Sequence, residues 1–141
     1  NGPAAAIQLN DANHTIITGK TSELLGASSA LLLNALKHLA GIADDVRMIS
    51  PTVLEPVCKL KTGALGHRNP RLHTDEVLVA LSICAITDEN AQKALDKLPE
   101  LKNCEVHTSV ILSQTDERVF RRLGVNLTQE AKYQTSKLYH Q

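Results

Sequence analysis

Apolar and polar residues alternate at the start of the chain and follow helical spacing soon after it. Residues 5–9 alternate, the segment 10–13 is polar, and β-branched residues dominate 15–18. Two short β-rich runs joined by Asx-type turn residues predict an antiparallel hairpin. Leucines then recur at helical spacing through residues 22–40, and Gly41 follows them. Apolar residues cover most of that segment's circumference, which predicts an interior helix packed on more than one side.

The rest of the chain alternates helices with short strands. Ser50 followed by Pro51 predicts a helix start, and we expect that helix to reach residue 61 or 62. The run 77–86 is apolar enough for a buried strand, but its length, its alanines and the capping residues 73–76 favour a helix. The other predicted elements are a buried strand at 46–49, a helix from 87 that ends at Pro99, a strand at 104–112, a helix at 116–123 and a strand at 125–128.

This order of elements indicates an α/β protein. We predict one α/β domain over residues 1–141, in which a mixed sheet of four or five strands lies between two helix layers, a three-layer α/β/α arrangement. The N-terminal hairpin supplies an antiparallel pair at one edge, and strands separated by helices are predicted to be parallel. The polar tail 129–141 is predicted to be irregular, with Tyr133, Leu138 and Tyr139 as anchors.

Composition excludes several classes of partner. Fifteen basic and fifteen acidic residues are interspersed along the chain, which holds one Phe, two Tyr and no Trp. With neither a basic stripe nor aromatic platforms, no nucleic-acid partner is predicted. The apolar runs are too short and too interrupted to cross a bilayer, so no membrane partner is predicted either. The three cysteines form no Cys-x-x-Cys pair, which indicates reduced thiols and a cytoplasmic location.

The segment from Gly19 to Ser22 ends like a phosphate-binding loop, with the residues Gly-Lys-Thr-Ser. The full loop needs a glycine five residues before Gly19, and that position is His14, so a nucleotide phosphate loop is not predicted. Free backbone N–H groups at a helix start nevertheless favour an anion. We therefore predict that Lys20, Thr21 and Ser22 meet an anionic small molecule. The alternative is a turn in which Thr21 or Ser22 caps the helix.

The loop 62–72 and the residues after it concentrate polar side chains between two apolar segments. Arg68 and Arg71 are suited to grip a carboxylate or a phosphate, and His73 follows closely. We add Arg71 and His73 to the predicted ligand site. The spacing between His67 and His73 matches no metal signature, so no metal site is predicted. The alternative here is a solvated loop ahead of a capped helix.

A second group of titratable residues lies on the predicted strand 104–112. Glu105 and His107 share one face of that strand, which would suit acid–base chemistry or metal ligation. The same pattern suits a polar side that faces solvent, and we favour that interpretation. No Gly-x-Ser-x-Gly elbow and no His-Glu-x-x-His motif occurs. The sequence therefore identifies neither catalytic residues nor a cofactor, and both stay unknown at this point.

Three segments are similar to a known bacterial family. They begin at Thr18 (Thr-Gly-Lys-Thr-Ser-Glu-Leu-Leu-Gly-Ala-Ser-Ser-Ala), at Asn69 (Asn-Pro-Arg-Leu-His-Thr-Asp-Glu-Val-Leu) and at Leu123 (Leu-Gly-Val-Asn-Leu-Thr). Together they resemble the C-terminal part of the family catalogued as domain of unknown function 1846. The resemblance implies that the chain is the C-terminal fragment of a longer protein with a nucleotide-binding-like α/β part before it. It also implies a topology similar to cytidine deaminases, although that group's zinc ligands are absent from this sequence.

Three hypotheses for the function follow. The first is a subdomain of an uncharacterised cytoplasmic bacterial protein, which contributes an anionic small-molecule site, for phosphate or nucleotide, at a helix N-terminus beside the N-terminal remainder. The second is a half-site of a hydrolase or transferase, with His73, Asp75 or His107 as general acid or base. The third is a structural module that packs against a neighbour, as in a homo-oligomer.

Overall fold

The computed structural model describes residues 2–132, in which four β-strands and five α-helices form an α/β fold. In chain order the elements are β1 (Ala4–Gln8), β2 (Ile16–Lys20), α1 (Ala27–Ala40), α2 (Pro51–Thr62), α3 (Thr74–Cys84), α4 (Glu89–Leu95), β3 (Glu105–Thr108), α5 (Gln114–Arg122) and β4 (Asn126–Gln129). A 3-10 helix, Leu98–Leu101, lies between α4 and β3. The predicted α/β class is confirmed. The anchors predicted at Tyr133, Leu138 and Tyr139 lie outside the described residues.

The four strands form one mixed sheet in the order β2-β1-β3-β4. The strand β1 pairs antiparallel with both β2 and β3. The strand β3 pairs parallel with β4, which follows it in the chain after the connecting helix α5. The first strand of the chain therefore lies inside the sheet and runs opposite to the other three. The predicted N-terminal hairpin and the predicted mixed sheet are confirmed.

The turn of the hairpin is held by Asp11. Its carboxylate accepts hydrogen bonds from the Thr15 backbone N–H at 2.8 Å and from the Thr15 hydroxyl at 2.6 Å. These two bonds hold the pKa of Asp11 below its ordinary value. His14 has a left-handed φ of 49°, which lets the chain reverse within the turn. The resulting register places Gly19 opposite Ala5.

Gly19 explains how the helix α1 approaches the sheet. A Cβ atom on Gly19 would lie 2.3 Å from the backbone nitrogen of Leu31 and 2.7 Å from the carbonyl oxygen of Ala27, both in α1. Only glycine permits so close an approach between a strand and a helix backbone. The helix consequently packs directly on β1 and β2, and its own residues Leu31 and Leu36 are fully buried.

The helix α1 begins at Ala27, five residues later than the predicted start at residue 22, while its predicted end at Gly41 is confirmed. The residues before it form a turn, in which the Ser22 N–H donates to the Leu25 carbonyl at 2.9 Å. Leu25 then pairs in parallel with Leu72 in an isolated β-bridge. Because this pairing requires extended backbone, helical geometry cannot start before the N-cap residue Gly26.

The prediction of a strand at residues 46–49 is wrong. This segment is irregular, and its apolar pattern reflects the burial of Met48 and Ile49 in the core instead of pairing with another strand. A short apolar run cannot by itself distinguish these two situations. The predicted helix start at Ser50 and Pro51 is confirmed, and α2 ends at Thr62 as expected.

Smaller differences concern where elements begin and end. The helix α3 starts at Thr74, three residues before the predicted position, because Glu76 already belongs to its first turn. The strand β3 ends at Thr108, before the predicted residue 112, and its pairing with β1 ends there, opposite Ala5. No helix within residues 2–132 combines the length and the apolar character that crossing a bilayer requires. Cys84 and Cys104 are buried free thiols, and Cys58 is a half-buried free thiol.

Candidate functional site

A cleft of about 370 Å³ opens where four segments meet: residues 2–3 before β1, the connection from β2 to α1, the loop from α2 to α3, and the first turn of α5. The volume suits a small ligand. Six of the residues that line it are Thr21, Gly26, Arg71, Leu72, His73 and Asp116. We call this the α1–α3 cleft. The bridge between Leu25 and Leu72 joins the second and third of these segments, and the buried Ser29 hydroxyl donates to the Leu72 carbonyl at 2.7 Å.

Arg71 is fixed across the cleft by its own side chain. Its Nε donates to the Ser22 carbonyl at 2.6 Å, and its backbone N–H donates to the Asn69 side chain at 3.0 Å. Within residues 2–132, the two terminal amino groups of the Arg71 guanidinium have no acceptor. A planar guanidinium held at one nitrogen still offers a fork of donors, which matches a phosphate or a carboxylate.

His73 and Asp116 lie side by side in the cleft. The His73 Nδ1 lies 3.6 Å from the Asp116 Oδ2, and the other carboxylate oxygen accepts from the Thr74 N–H at 2.9 Å and the Thr74 hydroxyl at 2.7 Å. The close Asp116 carboxylate raises the pKa of His73, against a smaller opposing effect of burial. Burial works to raise the pKa of Asp116, but His73 and Thr74 outweigh it and lower that pKa.

A buried lysine lies behind the cleft. Lys61 is only 2% exposed, and its ammonium group donates to the Glu76 carboxylate at 2.8 Å and to the Arg71 carbonyl. The same Glu76 oxygen accepts the His73 backbone N–H at 2.8 Å, which caps the start of α3. Burial works to raise the pKa of Glu76, but Lys61 and the His73 N–H hold that pKa below its ordinary value.

The structure brings together three of the five residues predicted to bind a ligand. Thr21, Arg71 and His73 line the α1–α3 cleft, whereas Lys20 and Ser22 are exposed and do not line it. Lys20 is the last residue of β2, so the Gly-Lys pair belongs to a strand and not to a loop. Ser22 takes part only through its carbonyl, which accepts from Arg71.

Sequence reasoning missed Asp116 and Lys61. Asp116 is 42 residues from Thr74, and its spacing after Ser113 indicates only a helix cap, which the structure contains. Lys61 stands in the last turn of α2, where a lysine normally faces solvent and interacts with the helix dipole. Neither residue carries a local signal of burial, because the partners come from other elements.

The other titratable candidates lie elsewhere. His107 faces solvent from β3 and contacts the Thr128 hydroxyl at 2.6 Å and the Glu130 carboxylate at 3.4 Å, which confirms the solvent-facing interpretation. Asp75 is exposed and accepts the Glu76 N–H at 2.8 Å. In the part of the chain that the structure describes, no three His, Cys, Asp or Glu side chains are grouped closely enough to hold a metal ion.

Apolar side chains on the outer face of α3 and just after it remain in solvent. Val79 is 60% exposed, and Ile86, two residues past the helix, is 80% exposed, with Ile83 between them also exposed. Exposed apolar patches are typical of surfaces that contact another protein segment. The structural or oligomerisation hypothesis therefore stays a prediction.

Comparisons with known proteins agree with the resemblance described above. The family model "Domain of unknown function DUF1846, C-terminal" matches residues 1–139. UPF0371 protein DIP2346 of Corynebacterium diphtheriae is 59% identical over 137 residues, which cover 97% of this chain and 27% of that protein. UPF0371 protein CD630_08980 of Clostridioides difficile is 48% identical over 138 residues, which cover 98% of this chain and 27% of that protein. The chain thus spans about a quarter of the length of the curated relatives it matches, and it belongs to the DUF1846 family, whose C-terminal domain it matches.

Proposed function

We propose that the α1–α3 cleft binds an anionic small molecule through a phosphate group, free or as part of a nucleotide. The observation that carries this proposal is the placement of Arg71 and His73 in one cleft with the start of α1. The two basic side chains come from the loop before α3, while Thr21 and Gly26 come from the connection before α1. A phosphate needs several donors, and the side-chain donors that the cleft offers are Arg71 and His73, since Thr21 and Gly26 already donate to the carbonyls of Pro3 and Leu72.

The start of α1 reaches the cleft at Gly26, and unpaired backbone donors follow it in the first turn. Its N-cap residue is Gly26, which has no side chain to accept a hydrogen bond. Among the described residues, the backbone N–H groups of Ala27, Ser28 and Ser29 have no acceptor, although these three residues are buried. A buried helix start without a cap requires water or a ligand, and the helix dipole there favours an anion.

The charges in the cleft are compatible with an anion. Asp116 opposes it, but hydrogen bonds from Thr74 and the contact with His73 occupy the Asp116 carboxylate. Protonated His73 balances that negative charge and leaves the charge of Arg71 in excess. Lys20 is exposed at the end of β2, from where it would contribute general attraction.

The context of this site is part of the proposal. Because the relatives are about four times longer than this chain, we assign the remaining ligand contacts to the N-terminal remainder of a longer protein. We also propose a three-layer arrangement with cytidine-deaminase-like topology, and its support is the resemblance to the family alone. A cytoplasmic location is supported by the free thiols of Cys58, Cys84 and Cys104.

The substitution Arg71→Ala tests the proposed function. We expect the 141-residue chain to bind sulfate and inorganic phosphate. We expect Arg71→Ala to weaken the binding of both anions, and so to raise both dissociation constants. Charge-assisted hydrogen bonds contribute about 1.5–3 kcal/mol, which corresponds to roughly 10- to 150-fold in affinity. Isothermal titration calorimetry measures both constants directly.

Two matched variants control for general electrostatics. Arg68→Ala removes the same charge from an exposed position on the same loop, and Lys20→Ala removes the exposed lysine at the end of β2. Both are expected to change the affinity for sulfate by less than about threefold, as exposed charges do. If Arg68→Ala and Arg71→Ala lose equal affinity for sulfate, the anion does not bind in the cleft.

A second candidate function is acid–base chemistry, and the pairing of His73 with Asp116 favours it. A histidine oriented by a carboxylate at Nδ1 presents Nε2 for proton transfer. Here Asp116 is itself oriented by the backbone and hydroxyl of Thr74. Of the three residues considered as general acid or base of a hydrolase or transferase half-site, only His73 remains a candidate. Asp75 and His107 do not line the cleft.

The titration of His73 tests this pairing. NMR of the imidazole protons is expected to show a pKa of His73 above its ordinary value, and Asp116→Asn is expected to lower that pKa. Because the folded pKa exceeds the unfolded one, protonated His73 stabilises the fold at acidic pH, and this contribution disappears as the pH rises through the folded pKa. Asp75→Asn, an exposed carboxylate in the same turn, should leave the titration unchanged. If His73 in the parent chain titrates at its ordinary pKa, the acid–base candidate is wrong.

A further inference from the structure

We infer that Lys61 is a positioning residue of the α1–α3 cleft: its buried ammonium group fixes the backbone that carries Arg71 and His73. This inference rests on the proposed anion site and adds a residue that does not touch the ligand. Lys61 does not line the cleft and lies in a different element, the last turn of α2.

The ammonium group joins two points of the cleft wall. It donates to the carbonyl of Arg71, whose side chain offers the guanidinium, and to Glu76, in the first turn of α3. Glu76 in turn accepts the backbone N–H of His73. The backbone on either side of Leu72 is thus held at Arg71 by Lys61 itself and at His73 through Glu76.

The burial of Lys61 indicates that this role is specific. Removing an ammonium group from water carries a penalty of several kcal/mol that a hydrogen-bonded partner has to offset. A lysine at the end of a helix normally extends its ammonium group into solvent. Its neighbour Lys59, two residues earlier in α2, is exposed in that way, whereas Lys61 is 2% exposed and directed at the loop.

The side chains of the loop itself do not anchor it in the core. Residues 62–70 are exposed, and the chain returns to the core only at Leu72. Leu72 is held by its backbone pairing with the segment before α1. Without Lys61, the carbonyl of Arg71 would lose its donor, and the peptide between Arg71 and Leu72 would be held only through its N–H, which donates to the Leu24 carbonyl at 2.8 Å.

The test uses Lys61→Met and the double variant Lys61→Met/Glu76→Gln in the 141-residue chain. Lys61→Met leaves the Glu76 charge without its partner, whereas the double variant removes both charges and is expected to recover stability. We expect both to weaken sulfate binding about tenfold, because the Arg71 carbonyl has lost its donor in each. Calorimetry at low temperature, where circular dichroism shows all variants folded, gives the dissociation constants. Lys59→Met is the matched control and should bind sulfate like the parent chain.

Amide hydrogen exchange separates a failure of this inference from a failure of the anion site. We expect the amides of Leu72 and His73 to exchange about tenfold faster in the double variant, while the amides of α1 stay protected. If the parent chain binds no sulfate but these two amides still exchange faster, the anion site is wrong and the positioning of the loop stands. If Arg71→Ala weakens sulfate binding while the double variant binds like the parent chain, the inference about Lys61 is overturned.

Discussion

Gly19→Ala is expected to destabilise the fold by about 3 kcal/mol or more. The added methyl group would lie 2.3 Å from the Leu31 nitrogen, whereas ordinary contact with a Cβ begins near 3.4 Å. The obstructing atoms belong to the backbone of α1, so no side-chain rotation relieves the overlap. The helix has to move away from β2 by about 1 Å, and a gap of that size forfeits a quarter to a half of each packing contact.

Urea denaturation followed by circular dichroism measures this loss. Gly26→Ala is the matched control, since a Cβ there meets only the Leu72 carbonyl oxygen at 3.9 Å and its φ of −68° suits any residue. We expect Gly26→Ala to stay within about 1 kcal/mol of the parent chain. A Gly19→Ala variant as stable as Gly26→Ala would show that α1 does not press on the strand at that point.

Phe120→Ala is expected to lower the free energy of unfolding by about 3–5 kcal/mol, the range for truncating a buried aromatic side chain. Phe120 is the only phenylalanine of the chain, is 1% exposed, and anchors α5 in the core. Typical domains are stable by only about 5–15 kcal/mol, so this loss would be a large part of the total. The effect should reach the cleft as well, because Asp116 lies one turn earlier on the same helix face.

The control for this prediction is Phe120→Leu. Leucine keeps most of the volume and all of the apolar character, so the expected loss is about 1.5 kcal/mol or less. The midpoint of urea denaturation should fall in the order parent, Phe120→Leu, Phe120→Ala, with similar slopes. If both substitutions lower the midpoint equally, the site does not depend on the packed volume, and the role assigned to Phe120 is wrong.

Elements with strong local signals could be predicted from the sequence. The Ser-Pro pair fixed the start of α2, Gly41 fixed the end of α1, and Asp11 marked the hairpin turn. The errors came where a distant partner decides the outcome. The start of α1 moved because Leu25 pairs with Leu72, and the segment 46–49 is irregular although Met48 and Ile49 are buried.

The same division holds for the site. Arg71 and His73 could be proposed because a polar loop between apolar segments is visible in the sequence. Their meeting with Thr21 depends on how the two loops are joined, which no local pattern encodes. Asp116 and Lys61 were out of reach for the same reason. An acid in a first helical turn and a lysine in a last turn are ordinary surface residues until the tertiary structure gives them partners.

The central position of β1 also determines the order in which the sheet can form. Ala5 pairs with Thr108, so one edge of the N-terminal hairpin stays without a partner until roughly a hundred more residues exist. At synthesis rates of about 5–20 residues per second, that interval is about 5–20 s. Contacts between such distant residues also slow folding, because the entropic cost of closing a long loop precedes the stabilisation that these contacts bring. During translation the hairpin is therefore an exposed strand edge, and the domain becomes cooperative only when its last quarter arrives.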